Sequence, residues 1–187
     1  MDATAPPPTN PSAPANPSAP ATIGRTRLRR GRAIWTFVGS YVAVTVLCTA
    51  LSLVIGAIQH DPSASRPLQD PAYVLSEKFD PLVNLAVWTG FAVLYFRRLP
   101  PVDRTLRHAR ALGLFWLCVA LPVDFVGFVL IKNPISLSPD EFYVGQFPWI
   151  YLIYVAVFTG PLWAVALASL RRGSRSDGRY GRLNSLR

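Results

Sequence analysis

Residues 33–58 read AIWTFVGSYVAVTVLCTALSLVIGAI, a run without one charged side chain. As a helix it would rise about 39 Å at 1.5 Å per residue, more than the roughly 30 Å of hydrocarbon in a bilayer. A helix also satisfies its own backbone hydrogen bonds, which lipid cannot do for it. Three further apolar blocks follow: 81–96 (PLVNLAVWTGFAVLYF), 111–131 (ALGLFWLCVALPVDFVGFVLI) and 147–170 (FPWIYLIYVAVFTGPLWAVALASL). The expected fold class is therefore an all-α membrane protein, with four transmembrane helices in an up-down-up-down bundle over residues 25–170. The second block is short for a span. Arg97 and Arg98 extend it, their charged heads snorkelling to the interface.

The segments between and around the blocks carry their own signals. Residues 1–24 are Pro, Ala, Ser, Thr and Asn with the pentapeptide NPSAP at 10–14 and again at 16–20. Such a composition buries nothing and predicts a disordered tail. RTRLRRGR at 25–32 resembles the basic start of a signal peptide, but the apolar run behind it far exceeds the usual core of about 7–15 residues. An uncleaved first span is expected. Asp70-Pro71 predicts a short surface helix through Phe79, and Asp80-Pro81 predicts an N-cap for the second span. Pro100-Pro101 breaks the chain before a helix starting near Asp103 or Thr105. Ser138-Pro139-Asp140-Glu141 has the form of a capping box, opening a short interfacial helix with Phe142, Tyr143 and Phe147 toward lipid. Gly160-Pro161 predicts a kink in the fourth span. Trp35, Trp149 and Tyr95 suit interfacial belts. The basic segment 171–187, rich in Arg, Ser and Gly, reads as a disordered cytoplasmic tail.

Charge sets the expected orientation. Of the 19 basic residues, 17 are Arg; five lie in 25–32, five in 97–110 and six in 171–187. Only Arg66, Lys78 and Lys132 fall in the other two connections. Sixteen against three is a strong positive-inside bias. Both termini and the 97–110 loop are expected in the cytoplasm of a multi-pass cell-membrane protein. The net charge of +9 sits beside apolar blocks, so the expected partners are the lipid bilayer and its anionic head groups rather than nucleic acid. A membrane-protein partner or a homo-oligomer is also open. Scarce Lys beside abundant Arg, Ala and Pro is the composition expected of a GC-rich bacterial genome.

Few residues carry chemistry. Cys48 and Cys118 sit inside apolar blocks and form neither a CxxC pair nor a zinc spacing. His60 and His108 are isolated and read as solvated loop residues. No cofactor or metal is expected. Asp124, the one charge in 111–131, is different, because a carboxyl inside hydrocarbon is costly and points to function by default. Asn84, Tyr151 and Tyr154 enter their spans from the same side and fall at similar depth. These four residues form the candidate intramembrane polar site. Its structural version is a hydrogen-bonded acid locking helices together. Its functional version is an outward-facing polar cavity that binds a cation, a proton or a polar head group. The expected function is that of a non-enzymatic accessory or structural membrane protein. The alternatives are a small transporter or ion pathway using Asp124, and a lipid-acting enzyme with Asp124 and tyrosines as acid–base groups.

A reporter domain fused after Arg187 should read cytoplasmic, and one inserted near Ser65 should read external. An external C-terminus would contradict the arginine tally.

Overall fold

The computed structural model describes residues 28–59, 67–131 and 136–184. All regular elements among them are helical: α1 (Arg30–Gln59), α2 (Pro71–Glu77), α3 (Asp80–Arg97), α4 (Leu106–Asp124) and α5 (Trp149–Asn184). Single 3-10 turns lie at Pro67–Gln69 and Pro101–Asp103, and π-helical turns at Phe125–Leu130 and Glu141–Gly145. The expectations for 1–24, His60, Arg66 and Lys132 lie outside the described residues.

Three helical runs are long and apolar enough to cross a membrane: Arg30–Gln59, Leu106–Leu130 and Trp149–Leu170. The block at 81–96 reaches that measure only when α3 is joined to α2, from which it bends by 49°. Eighteen residues rise only about 27 Å, and α3 carries Asp80 and Asn84 near one end and Arg97 at the other.

Several starts follow the local chemistry. The Asp70 carboxylate accepts from the Ala72 and Tyr73 N–H groups at 2.9 and 3.2 Å, with Pro71 at the first helical position. The Thr105 hydroxyl accepts from the His108 N–H at 3.2 Å and starts α4. The capping box is formed both ways: Glu141 N–H donates to the Ser138 hydroxyl and Ser138 N–H to the Glu141 carboxylate.

Other expectations are corrected. Asp80 does not cap α3. Phe79 holds that position without a side-chain bond, and Asp80 lies inside the first turn, where its charge complements the helix dipole. Residues 171–184 continue α5 as helix instead of leaving it as a disordered tail, consistent with the high helix propensity of Arg. His108 is buried and shares a 3.0 Å hydrogen bond with the equally buried Tyr95, so neither is the surface residue its position implies. Phe142 is buried as well, whereas Phe147 faces outward.

α5 packs along both α3 and α4, and α1 packs on α3 and α2. Two close helix approaches pass through glycine. A Cβ on Gly113 would run into the Phe158 carbonyl, and one on Gly160 would stand 2.9 Å from the Trp88 Cβ and 3.0 Å from its carbonyl carbon. Trp88 is central. Rings step from Tyr41 to Phe37 to Trp88 to Trp116 at centroid distances of 5.8, 5.5 and 5.3 Å, a spacing at which aromatic pairs attract beyond their area. The larger core surrounds this row, and a smaller one gathers Val129, Leu137, Phe142, Ile150 and Tyr154 near the start of α5.

α1 is held unevenly. Its buried residues are Ala33, Phe37 and Ser40, and all later positions are at least partly exposed. Two side-chain bonds tie it to α4. The Trp116 indole N–H donates to the Ala33 carbonyl at 3.0 Å, and the Tyr41 hydroxyl donates to Asp124 Oδ1 at 2.6 Å. Both bonds join residues 83 apart in sequence, so α1 and α4 run in the same direction and in step.

Gly160→Ala should destabilise the fold by about 1–3 kcal/mol, since backbone atoms of α3 must move to admit the methyl. Gly90→Ala, with nothing within 4 Å, should be neutral or stabilise by about 0.5–1 kcal/mol through helix propensity. Unfolding in mixed micelles measures both.

Candidate functional site

Past Tyr41 the C-terminal stretch of α1 has no buried residue, and a cavity of about 300 Å³ lies between α1, α2, α3, the α4–π segment and the start of α5. That volume lies at the small end of ligand-binding pockets. Tyr41, Trp88, Phe128, Ile153 and Val157 are among the apolar and aromatic residues lining it. The carboxyls of Glu77, Asp80 and Asp124 all face it, and no Lys, Arg or His is among the described residues lining it.

Asp124 sits at the last residue of α4, where the helix widens into the π-helical turn Phe125–Leu130. Pro122, two residues earlier, lacks the N–H that would continue the ladder. Such widened turns recur at functional sites. The Asp124 side chain is buried in the bundle and accepts from Tyr41. Tyr154 lies beside it, although its buried hydroxyl makes no hydrogen bond in this arrangement.

The other expected members are placed differently. Asn84 is buried one layer away. It donates to the Asp80 carbonyl at 2.9 Å and approaches Cys48 Sγ at 3.9 Å, and its oxygen accepts from the Trp88 indole at 3.0 Å. It lines the cavity without touching Asp124 through a hydrogen bond. Tyr151 is 47% exposed and packs edge-on against Phe147, on the outward side of α5. Asp124 and Asn84 therefore line the cavity, Tyr154 adjoins Asp124 without lining it, and Tyr151 does neither.

Sequence reasoning missed Tyr41, Tyr73, Glu77 and Gln146, and preferred an N-cap role for Asp80 over membership of the site. Tyr41 is the only Tyr in the 33–58 block, a signal open to a depth argument that was confined to the other three spans. α2 brings the rest together. Its Tyr73 hydroxyl accepts from Gln146 Nε2 at 2.6 Å and lies beside both Glu77 and Asp80. Glu77 and Gln146 are each only 6% exposed. Glu77 Oε1, Asp80 Oδ1 and Gln146 Oε1 are buried oxygens without a hydrogen-bond partner, where the great majority of buried polar atoms have one.

Among the described residues no group of three His, Cys, Asp or Glu side chains is placed to hold a metal ion. No family model, curated protein or solved structure matches the chain.

Tyr41→Phe removes the donor and leaves Asp124 buried without that bond. It should cost about 1–2 kcal/mol, toward the upper end of interhelical bonds measured in membranes. Tyr151→Phe should change stability by less than about 0.5 kcal/mol. Equal effects in detergent unfolding would show that the Tyr41–Asp124 bond is not formed.

Proposed function

We propose that this chain is a non-enzymatic, multi-pass cell-membrane protein of the small-transporter kind, with the cavity beside Asp124 as its solute site. Four spans in up-down-up-down order, α3 with α2 supplying the second, put both termini and the 97–110 loop in the cytoplasm. That orientation is supported by the arginine distribution, and the arginines then meet anionic head groups. The cavity opens in the outer half of the bundle.

The observation that carries the reading is the company Asp124 keeps. A structural acid would be sealed by apolar packing and its bonding partners. Asp124 instead lines an open space of about 300 Å³ together with two further carboxyls. Intramembrane acids facing a cavity mark ion and substrate paths. The test is solid-supported-membrane electrophysiology on proteoliposomes, challenged with a panel of small cations, zwitterions and anions. The wild type should give a transport current with at least one solute, and Asp124→Asn, folded and equally abundant, should give none. Identical responses from both across the panel would contradict the reading.

A second reading, an accessory subunit, rests on α1. No residue in its most apolar window is buried, and Val42, Val46 and Val54 are each more than half exposed. This is a face open to a neighbouring membrane protein or a second copy. A defined complex in mild detergent, lost when that face is altered, would favour it.

A further inference from the structure

The unpartnered oxygens of the cavity narrow its ligand. Glu77 Oε1, Asp80 Oδ1 and Gln146 Oε1 all line or border the same space. A carboxylate or amide oxygen accepts and cannot donate unless protonated, so the absent partner is a hydrogen-bond donor. Glu77 and Gln146 are more than nine-tenths buried. Tyr73 gathers them, bonded to Gln146 and beside Glu77 and Asp80. The three acceptors thus belong to one end of the cavity, where α2 crosses the start of α3. Described lining residues supply carboxyls and no cationic side chain, and buried charge without a counter-charge is costly. Trp88, Phe128, Ile153 and Val157 line the same space and add apolar and aromatic surface.

We propose that the cavity binds an amphipathic primary amine, its ammonium seated among Glu77, Asp80 and Gln146 and its apolar body lying along Trp88 and Phe128. An –NH₃⁺ group brings three donors, matching three unpartnered acceptors. It also brings the positive charge that the lining lacks. A quaternary ammonium has the charge without the donors, and a carboxylate has neither. The aromatic face of Trp88 attracts a cation in transit to that end. This inference rests on reading the cavity as a solute site, and it names the solute's chemical class. Two sources carry that chemistry: a free amine, and the aminoethyl head of a membrane phospholipid.

The experiment is equilibrium binding of radiolabelled octylamine to the full chain in phosphatidylcholine nanodiscs, with empty discs subtracted. Saturable binding is expected. Unlabelled octylamine should compete at least tenfold better than octyltrimethylammonium, and octanoate should not compete. Glu77→Gln and Asp80→Asn should each weaken octylamine binding tenfold or more, while Val46→Ala on the lipid-facing side of α1 leaves it unchanged. If either carboxyl variant fails to fold, the competition series on the wild type stands alone and decides. Replacing part of the phosphatidylcholine by phosphatidylethanolamine distinguishes the sources. A weaker apparent octylamine affinity assigns the lipid head, and an unchanged one assigns a free amine. Equal competition by octyltrimethylammonium or octanoate, or no saturable binding, overturns the proposal. Transport currents with solutes other than amines, alongside absent amine binding, would overturn the ligand class and leave the transporter reading standing. Selective amine binding without current would support the ligand class and count against transport.

Discussion

In the membrane-spanning arrangement proposed above, a polar group among these apolar helices must find its partner inside the protein, and the position of α1 follows from that requirement. Hydrocarbon offers no hydrogen bonds, and a lipid-facing carboxyl would cost several kcal/mol. The Tyr41–Asp124 bond meets the need of Asp124, and the Trp116–Ala33 bond fixes the same two helices nearer the arginine-rich end. Because both bonds join residues 83 apart, neither can shift by a turn without breaking the other. Two specific bonds thus hold the register of a helix that has few buried residues of its own.

The remaining helices are held by shape. Gly160 and Gly113 let α5 come against the backbones of its neighbours, and in a membrane such close approach replaces the hydrophobic drive available in water. Trp88 and Trp116 then fill the centre completely. The opposite end is looser. α2 crosses at an angle to α3 and meets α1 where Ala72 comes to 3.4 Å of a Cβ built on Gly56. It spans the gap without filling it, and the cavity is the space left between the tightly packed aromatic row and this cross-member.

What the sequence made legible follows physical locality. The apolar blocks, the Asp70 cap, the Ser138–Glu141 box and the break at Pro100-Pro101 depend on residues a few positions apart, and the structure has each in place. Asp124 stood out because a charge in an apolar run is costly wherever the run is placed. Its partner did not, because Tyr41 is an ordinary residue in its own helix and becomes a donor only when α1 and α4 lie side by side. Tyr151 and Tyr154 are three positions apart on α5 and equally plausible by depth. Which of them faces inward depends on how the helix is rotated, and the contact of Gly160 with Trp88 helps set that. Asp80-Pro81 has the form of a cap, yet the bend after α2 brings Phe79 to the cap position and turns Asp80 toward Cys48. His108 reads as a loop residue because it stands among arginines, but the first turn of α4 carries it beneath Phe96 to Tyr95.

The central claim is that water and solutes reach a polar space along one face of α1. Substituted-cysteine accessibility along that helix tests it most directly, in a background lacking Cys48 and Cys118. Thr45, Thr49 and Ser52 line the cavity. Val46 and Val54 do not, and at 60% and 55% exposure they face away from the protein. A membrane-impermeant thiol reagent added outside intact cells should label cysteines at 45, 49 and 52 and spare those at 46 and 54, because a thiol surrounded by lipid does not ionise and meets no aqueous reagent. Uniform labelling of all five positions, or silence at the three lining positions, would contradict a cavity open to the outside.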